Sequence, residues 1–275
     1  MAGQKAKNLL FLFICALIIF AMAGGILLLL YDAPPQVTPL GGEPDPSVVT
    51  TEPSNTEATT QAPTAAPTEA PTVAAVNGKV LLPVPTMCQL PEYPTGCESV
   101  STVMALRYAG EDITVDDFID NYLVCSNDFK TVDGVQYGPD PNEVFLGSPR
   151  DDGSLGCMAP VIENALIKRF GSSERVVNAT GTEMSELCSR YIDHGKPVIV
   201  WATLGMVASA PGRSWILPDG TQYTWKRHEH CLLLVGYDDV KYYFNDPYSG
   251  KTRSCNRDIA EKRYAEYDKQ AIVIL

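Results

Sequence analysis

Two successive stretches at the N-terminal end decide how much of this 275-residue chain can build a globular core. Residues 8–30 form an almost unbroken apolar run of 23 residues. As a helix, that length spans a bilayer core of about 30 Å. It has no polar face, and it is too long for an ordinary core helix. Lys5 and Lys7 precede it, and Asp32 is the first charge after it. The positive-inside rule then leaves residues 1–7 in the cytoplasm and everything after Tyr31 outside. Ala21-Met-Ala23 resembles a signal-peptide cleavage site, but Ile26-Leu-Leu-Leu-Leu30 carries the apolar run past it. An uncleaved, single-pass signal anchor is therefore expected at 8–30. Residues 31–78 are rich in Pro, Thr, Ala and Glu, with no aromatic residue after Tyr31. Such a segment cannot bury enough apolar area to offset the entropy of ordering. It is expected to be a disordered linker, able to hold a domain on the order of 100 Å from the membrane. What can fold is residues 79–275, enough for one core of two layers.

The formal net charge is −12 and no basic residues cluster, which argues against a nucleic-acid partner. Eight cysteines are present, Cys15 within the apolar run and seven beyond it. An odd number leaves one thiol over if the other six pair, with Cys97 the natural candidate, and the spacing assigns no pairing among Cys88, Cys125, Cys157, Cys188, Cys231 and Cys255.

Within 79–275, residues 79–84 read as a strand. Gln89-Leu-Pro-Glu-Tyr-Pro-Thr-Gly-Cys97 follows as a loop, since Pro91, Pro94 and Gly96 forbid regular structure. Val100, Val103, Met104 and Tyr108 then recur at helical spacing, with Gly110 as the stop. Thr114 caps a short helix over 115–123. Residues 125–156 are dense in Gly, Pro, Asp and Asn and are expected to be an irregular packed loop forming one wall of a cleft. A helix over 158–170 stops at Gly171, and another over 183–193, capped by Thr182, stops at Gly195. Residues 197–201 form a buried strand, and 216–222 a hairpin turn around Pro218-Asp-Gly220. Residues 230–236 and 241–245 are strands joined at Asp238-Asp239. A helix near 259–267 and a strand over 270–275 close the chain. The order is α+β.

Cys97 opens its helix, where unpaired backbone N–H groups and the positive end of the helix dipole favour thiolate over thiol. Only three histidines are present. His194 ends a helix and reads as structural. His228 and His230 are two apart on a strand and would share a face. His230 opens the apolar run 232–235, so it is the one expected to be buried. In a hairpin turning at 238–240, a residue near 246 pairs back to 230–232. Asp246 can then reach His230, with Asn245 as the near alternative. Cys97, His230 and Asp246 would supply a nucleophile, its base and the group that fixes the base's tautomer. Gln89, with the Cys97 N–H, could meet a developing oxyanion. A metal site on His228, His230 and Cys231 is disfavoured, because neighbours on a strand point to opposite faces. No cofactor and no metal is expected.

The segments Gln89…Pro94-Thr-Gly-Cys97-Glu-Ser-Val, Gly138-Pro-Asp-Pro…Phe145-Leu-Gly, Gly195-Lys-Pro-Val, His230-Cys-Leu-Leu-Leu-Val-Gly-Tyr-Asp238 and Asn245-Asp-Pro247 closely resemble cysteine peptidase family 39. Its members are papain-like proteins related to the double-glycine leader peptidases, and the resemblance covers nearly all of 79–275. It implies a helical lobe carrying the nucleophilic Cys97 against an antiparallel sheet lobe carrying His230 and Asp246, with Gln89 at the oxyanion hole. It implies a peptide or protein substrate and, with the anchor, a thiol protease on the outer face of a bacterial cell membrane. The chain lacks the transporter to which the leader peptidases are fused, so their substrate does not carry over. An inactive papain-like binding module at the cell surface is the alternative.

Overall fold

The computed structural model describes residues 73–76 and 78–275. The expected anchor at 8–30 and the expected linker up to residue 72 lie outside the described residues. Among those described, no helix is long and apolar enough to cross a membrane.

The strand expected at 79–84 is short, β1 (Val80–Leu81). After the Pro- and Gly-bearing loop comes helix α1 (Cys97–Tyr108), followed by Gly110 in a left-handed turn. All of its residues from Cys97 to Leu106 are buried, including Ser99, Ser101 and Thr102. Those hydroxyls are small enough for close packing, and two find local acceptors: Ser101 donates to the Cys231 carbonyl and Thr102 to the Glu98 carbonyl. α1 is thus enclosed on all sides rather than amphipathic. Helix α2 (Val115–Asn121) starts as expected, with the Thr114 hydroxyl accepting the Asp117 N–H at 3.0 Å.

The stretch 125–156 is more ordered than its composition implies. It carries β2 (Cys125–Ser126), β3 (Lys130–Val132), β4 (Val135–Tyr137) and β5 (Phe145–Leu146). β2 and β5 pair in parallel. Helix α3 (Ala159–Phe170) ends on Gly171 in the left-handed conformation. Strand β6 (Val176–Asn178) follows, then α4 (Met184–Arg190). Glu183, not Thr182, occupies the N-cap of α4, and the expected helix breaks into a separate 3₁₀ turn, Ile192–His194.

Five further strands follow: β7 (Val198–Thr203), β8 (Ala210–Ile216), β9 (Gln222–Arg227), β10 (Glu229–Tyr237) and β11 (Lys241–Asp246). β12 (Lys251–Asn256), α5 (Arg257–Ala265) and β13 (Ala271–Ile274) close the chain. The main sheet runs β12-β11-β10-β7-β13-β6, with β1 also on β10, and its pairings are antiparallel. A second sheet runs β3-β4-β8-β9. Its β4–β8 link is a long-range parallel contact, Tyr137 opposite Ile216, that no local pattern announces. Edge-on packing of Phe129 against Trp215, and donation from Trp215 Nε1 to the Pro139 carbonyl at 2.9 Å, hold the two hairpins together. β7 is buried at every position, as its β-branched run predicts, and α1 packs across β10 and β7. The hydrophobic core therefore lies between α1 and the central strands. That packing sets the first turn of α1 against the start of β10.

Candidate active site

Gly96 precedes α1 because nothing larger fits. A Cβ there would come 2.7 Å from the Tyr93 Cβ and 3.2 Å from the Pro149 Cβ. Gly96 also caps the helix without a side-chain hydrogen bond. Cys97 sits in that first turn and is only 6% exposed. The backbone N–H of Gln89 donates to the Pro247 carbonyl at 2.8 Å, which ties the loop before α1 to the chain following β11.

Opposite Cys97, β10 presents His230, 4% exposed. Its Nε2 lies 2.8 Å from Asp246 Oδ1, and the Tyr248 N–H also donates to that oxygen, at 3.0 Å. Register explains the match: Leu233 pairs with Asn245, so the end of β11 lies beside the start of β10. Burial alone would raise Asp246. Hydrogen bonds from His230, Ser249 and Tyr248, with the attraction of His230, hold it below the usual carboxylate range instead. Asn245, the near alternative, does other work. Its amide donates to the Val84 carbonyl, and its oxygen accepts from Thr252. The Tyr248 ring stands edge-on to His230 at a centroid distance of 6.4 Å.

Cys97, His230 and Gln89 line one cavity of about 210 Å³, together with Ser154, Leu155, Trp225 and Tyr248. Ser154 and Leu155 are the part of 125–156 that walls it. Gln89 is 2% exposed; its Nε2 donates to the Pro94 carbonyl at 2.9 Å. An amide nitrogen carries two N–H donors, so one remains beyond that bond. A larger depression of about 820 Å³, around Lys79, Asp238 and Tyr243, has no cysteine or histidine in its lining.

Three expectations change. His228 does not share a strand face with His230: it lies between β9 and β10, exposed, with φ +67°. All seven described cysteines are free thiols, so parity does not single out Cys97. The surroundings of Cys97 do not favour its thiolate. Burial first, then the charges of Glu98 and Glu229, push the thiol well above its ordinary value. Desolvation and like charge therefore act against the helix dipole.

Glu98 and Glu229 are the site residues that the sequence did not reveal. Glu98 follows Cys97 in the first turn of α1, where an acid normally serves the dipole from the surface. Here it is fully buried. Its Oε2 accepts the Cys97 thiol at 3.2 Å, and its Oε1 accepts the Cys157 N–H at 2.6 Å. Burial raises Glu98 to about 7. Glu229 also lines the cavity, beside His230. The only available signal was Glu98 itself, an acid among the small and apolar residues of α1.

Known proteins resemble this chain in sequence and in fold. The chain is 31% identical over 186 residues to the uncharacterised protein YvpB of Bacillus subtilis (strain 168), covering 67% of this chain and 70% of YvpB. A crystal structure from Bacillus anthracis, provisionally described as a C39-like peptidase, superposes with a TM-score of 0.64 at 26% identity, covering 72% of this chain and 97% of that one. Residues 81–272 match the model of the Peptidase_C39 like family, and the chain belongs to that family.

Proposed function

We propose that residues 79–275 form a papain-like cysteine peptidase that hydrolyses peptide bonds with Cys97, His230 and Asp246. The observation that carries this reading is the pairing of His230 Nε2 with Asp246 Oδ1 at 2.8 Å, His230 lining the same cavity as Cys97. With Nε2 engaged by Asp246, Nδ1 is the ring nitrogen left to take the thiol proton. Attack proceeds as that proton passes to His230 and the sulfur adds to a peptide carbonyl. The negative oxygen is met by the free Gln89 N–H and the Cys97 backbone N–H. Collapse breaks the C–N bond, and the imidazolium gives its proton to the departing amine. Water, deprotonated by His230, then cleaves the thioester, releasing the acid and restoring the thiol. Asp246 holds the imidazole in place throughout.

Residues 8–30 and 31–78 complete the proposal as anchor and tether, placing the domain outside the cytoplasmic membrane. The chemistry is tested by substitution. Cys97→Ala and His230→Ala each abolish turnover, and Asp246→Asn costs less, because an orienting group does not itself react. Full activity in Cys97→Ala overturns the assignment. A second reading, an inactive binding module, is favoured by one observation: Cys97 is buried beside the carboxyl groups of Glu98 and Glu229, which oppose formation of its thiolate.

A further inference from the structure

Three potential ligand atoms converge at the start of α1. Cys97 Sγ and one carboxylate oxygen each from Glu98 and Glu229 all lie within 4.8 Å of one another. The cluster is held from outside. The Cys157 N–H fixes Glu98 Oε1 at 2.6 Å, which turns Oε2 toward the sulfur. Outer hydrogen bonds of this kind orient metal-ligating carboxylates. Glu229 Oε1 is shut off from solvent and has no hydrogen-bond partner. A buried polar atom left unmatched costs about 1–3 kcal/mol, more if charged, unless something occupies its lone pairs. Space for the two carboxyl groups is reserved by Gly156, at φ +122°. A Cβ there would come 2.4 Å from Glu98 Oε1 and 3.1 Å from Glu229 Oε2.

We propose that Cys97, Glu98 and Glu229 form a binding site for a zinc-class divalent cation, which when filled makes the Cys97 sulfur a metal ligand and removes it from reaction. One sulfur and two carboxylate oxygens are donors that zinc accepts together, whereas magnesium and calcium take oxygen ligands alone. Three protein ligands leave the fourth tetrahedral position to water from the cavity. On binding, the S–H bond breaks, a metal–sulfur bond forms, and the thiol proton leaves to solvent with any proton held on the carboxyl groups. No electron changes hands. The site stands whether or not the domain is a peptidase. The blockade of turnover rests on that reading.

The test uses the full chain and zinc chloride, with two readouts that need no turnover. Competition against a chromophoric chelator measures affinity, and iodoacetamide labelling mapped by mass spectrometry reports each thiol. The expected result is that zinc shields Cys97 from labelling and that EDTA restores it. Glu229→Gln and Glu98→Gln each weaken zinc affinity by roughly 10-fold or more in the chelator competition, while His230→Ala leaves that affinity in place. Shielding in the unaltered chain needs no variant to fold. Labelling of Cys97 that ignores zinc overturns the proposal. So does zinc affinity that survives both glutamine variants but disappears in His230→Ala, which would put the ion between Cys97 and the imidazole. Loss of turnover in Cys97→Ala without zinc is a separate result and bears only on the peptidase reading.

Discussion

Glu98→Gln isolates the electrostatic cost built into this site. Glutamine keeps the shape of the side chain, and its carbonyl can still accept the Cys157 N–H that now reaches Glu98 Oε1 at 2.6 Å. What it removes is a buried ionisable group whose titration moves from the ordinary 4.5 to about 7. At ~1.4 kcal/mol per pH unit, that interval is worth about 3 kcal/mol. The sign follows from proton counting. Between those two values the folded chain keeps a proton that the unfolded chain has released. Stability from this group is therefore complete below pH 4.5, falls as pH rises, and is gone once the folded group ionises. Glutamine has no such slope. Glu229, also raised by burial and by Glu98, adds a slope of the same sign to both proteins. Urea unfolding, followed by fluorescence of the buried Trp201, Trp215 and Trp225, gives the stability of each protein from pH 5 to 8. The glutamine variant should gain on the parent by about 2.5 kcal/mol from pH 5 to 8, most of it below pH 7. Parallel curves would refute the buried, ionisable Glu98 on which the argument depends.

Three other outcomes are expected. Gln89→Ala should lower kcat by roughly 10²–10³ with little change in KM, as for loss of an oxyanion donor; an equal rise in KM instead would place Gln89 in substrate binding. Gly156→Ala should destabilise the fold by about 1–3 kcal/mol through its positive φ, with a further loss from the 2.4 Å approach to Glu98 Oε1; an unchanged urea midpoint would show that the carboxyl pair can give way. Protease added to intact cells should release residues 79–275 and leave the 8–30 segment in the membrane; protection of the domain would reverse the orientation read from Lys5 and Lys7.

What could be read from the chain was what neighbouring residues encode. The Pro- and Gly-bearing loop, the start of α1 at Cys97 and the hairpin of β10 and β11 all follow from turn chemistry and periodicity. The hairpin carried His230 and Asp246 to each other, because register across a tight turn is short-range arithmetic. The joining of β3 and β4 to β8 and β9 was hidden, since Tyr137 and Ile216 meet across a long span with no local trace. His228 was misread because a strand pattern does not show the one residue at which the backbone turns left-handed. Glu98 was hidden for a different reason. An acid in the first helical turn is the ordinary surface choice, and only the enclosure of α1 on every side turns it into a buried partner of the thiol.

The central claim is that Cys97 reacts through His230, and thiol labelling tests it most directly. The chain is treated with iodoacetamide and the modified cysteines are mapped in the parent and in His230→Ala. Accessibility alone ranks the exposed Cys88 and Cys125 ahead of Cys97. The account predicts that Cys97 nonetheless labels first in the parent and loses that lead in His230→Ala, because the imidazole takes its proton. Labelling that follows exposure in both proteins, with Cys97 equally slow in each, would contradict the account and leave a binding module in its place.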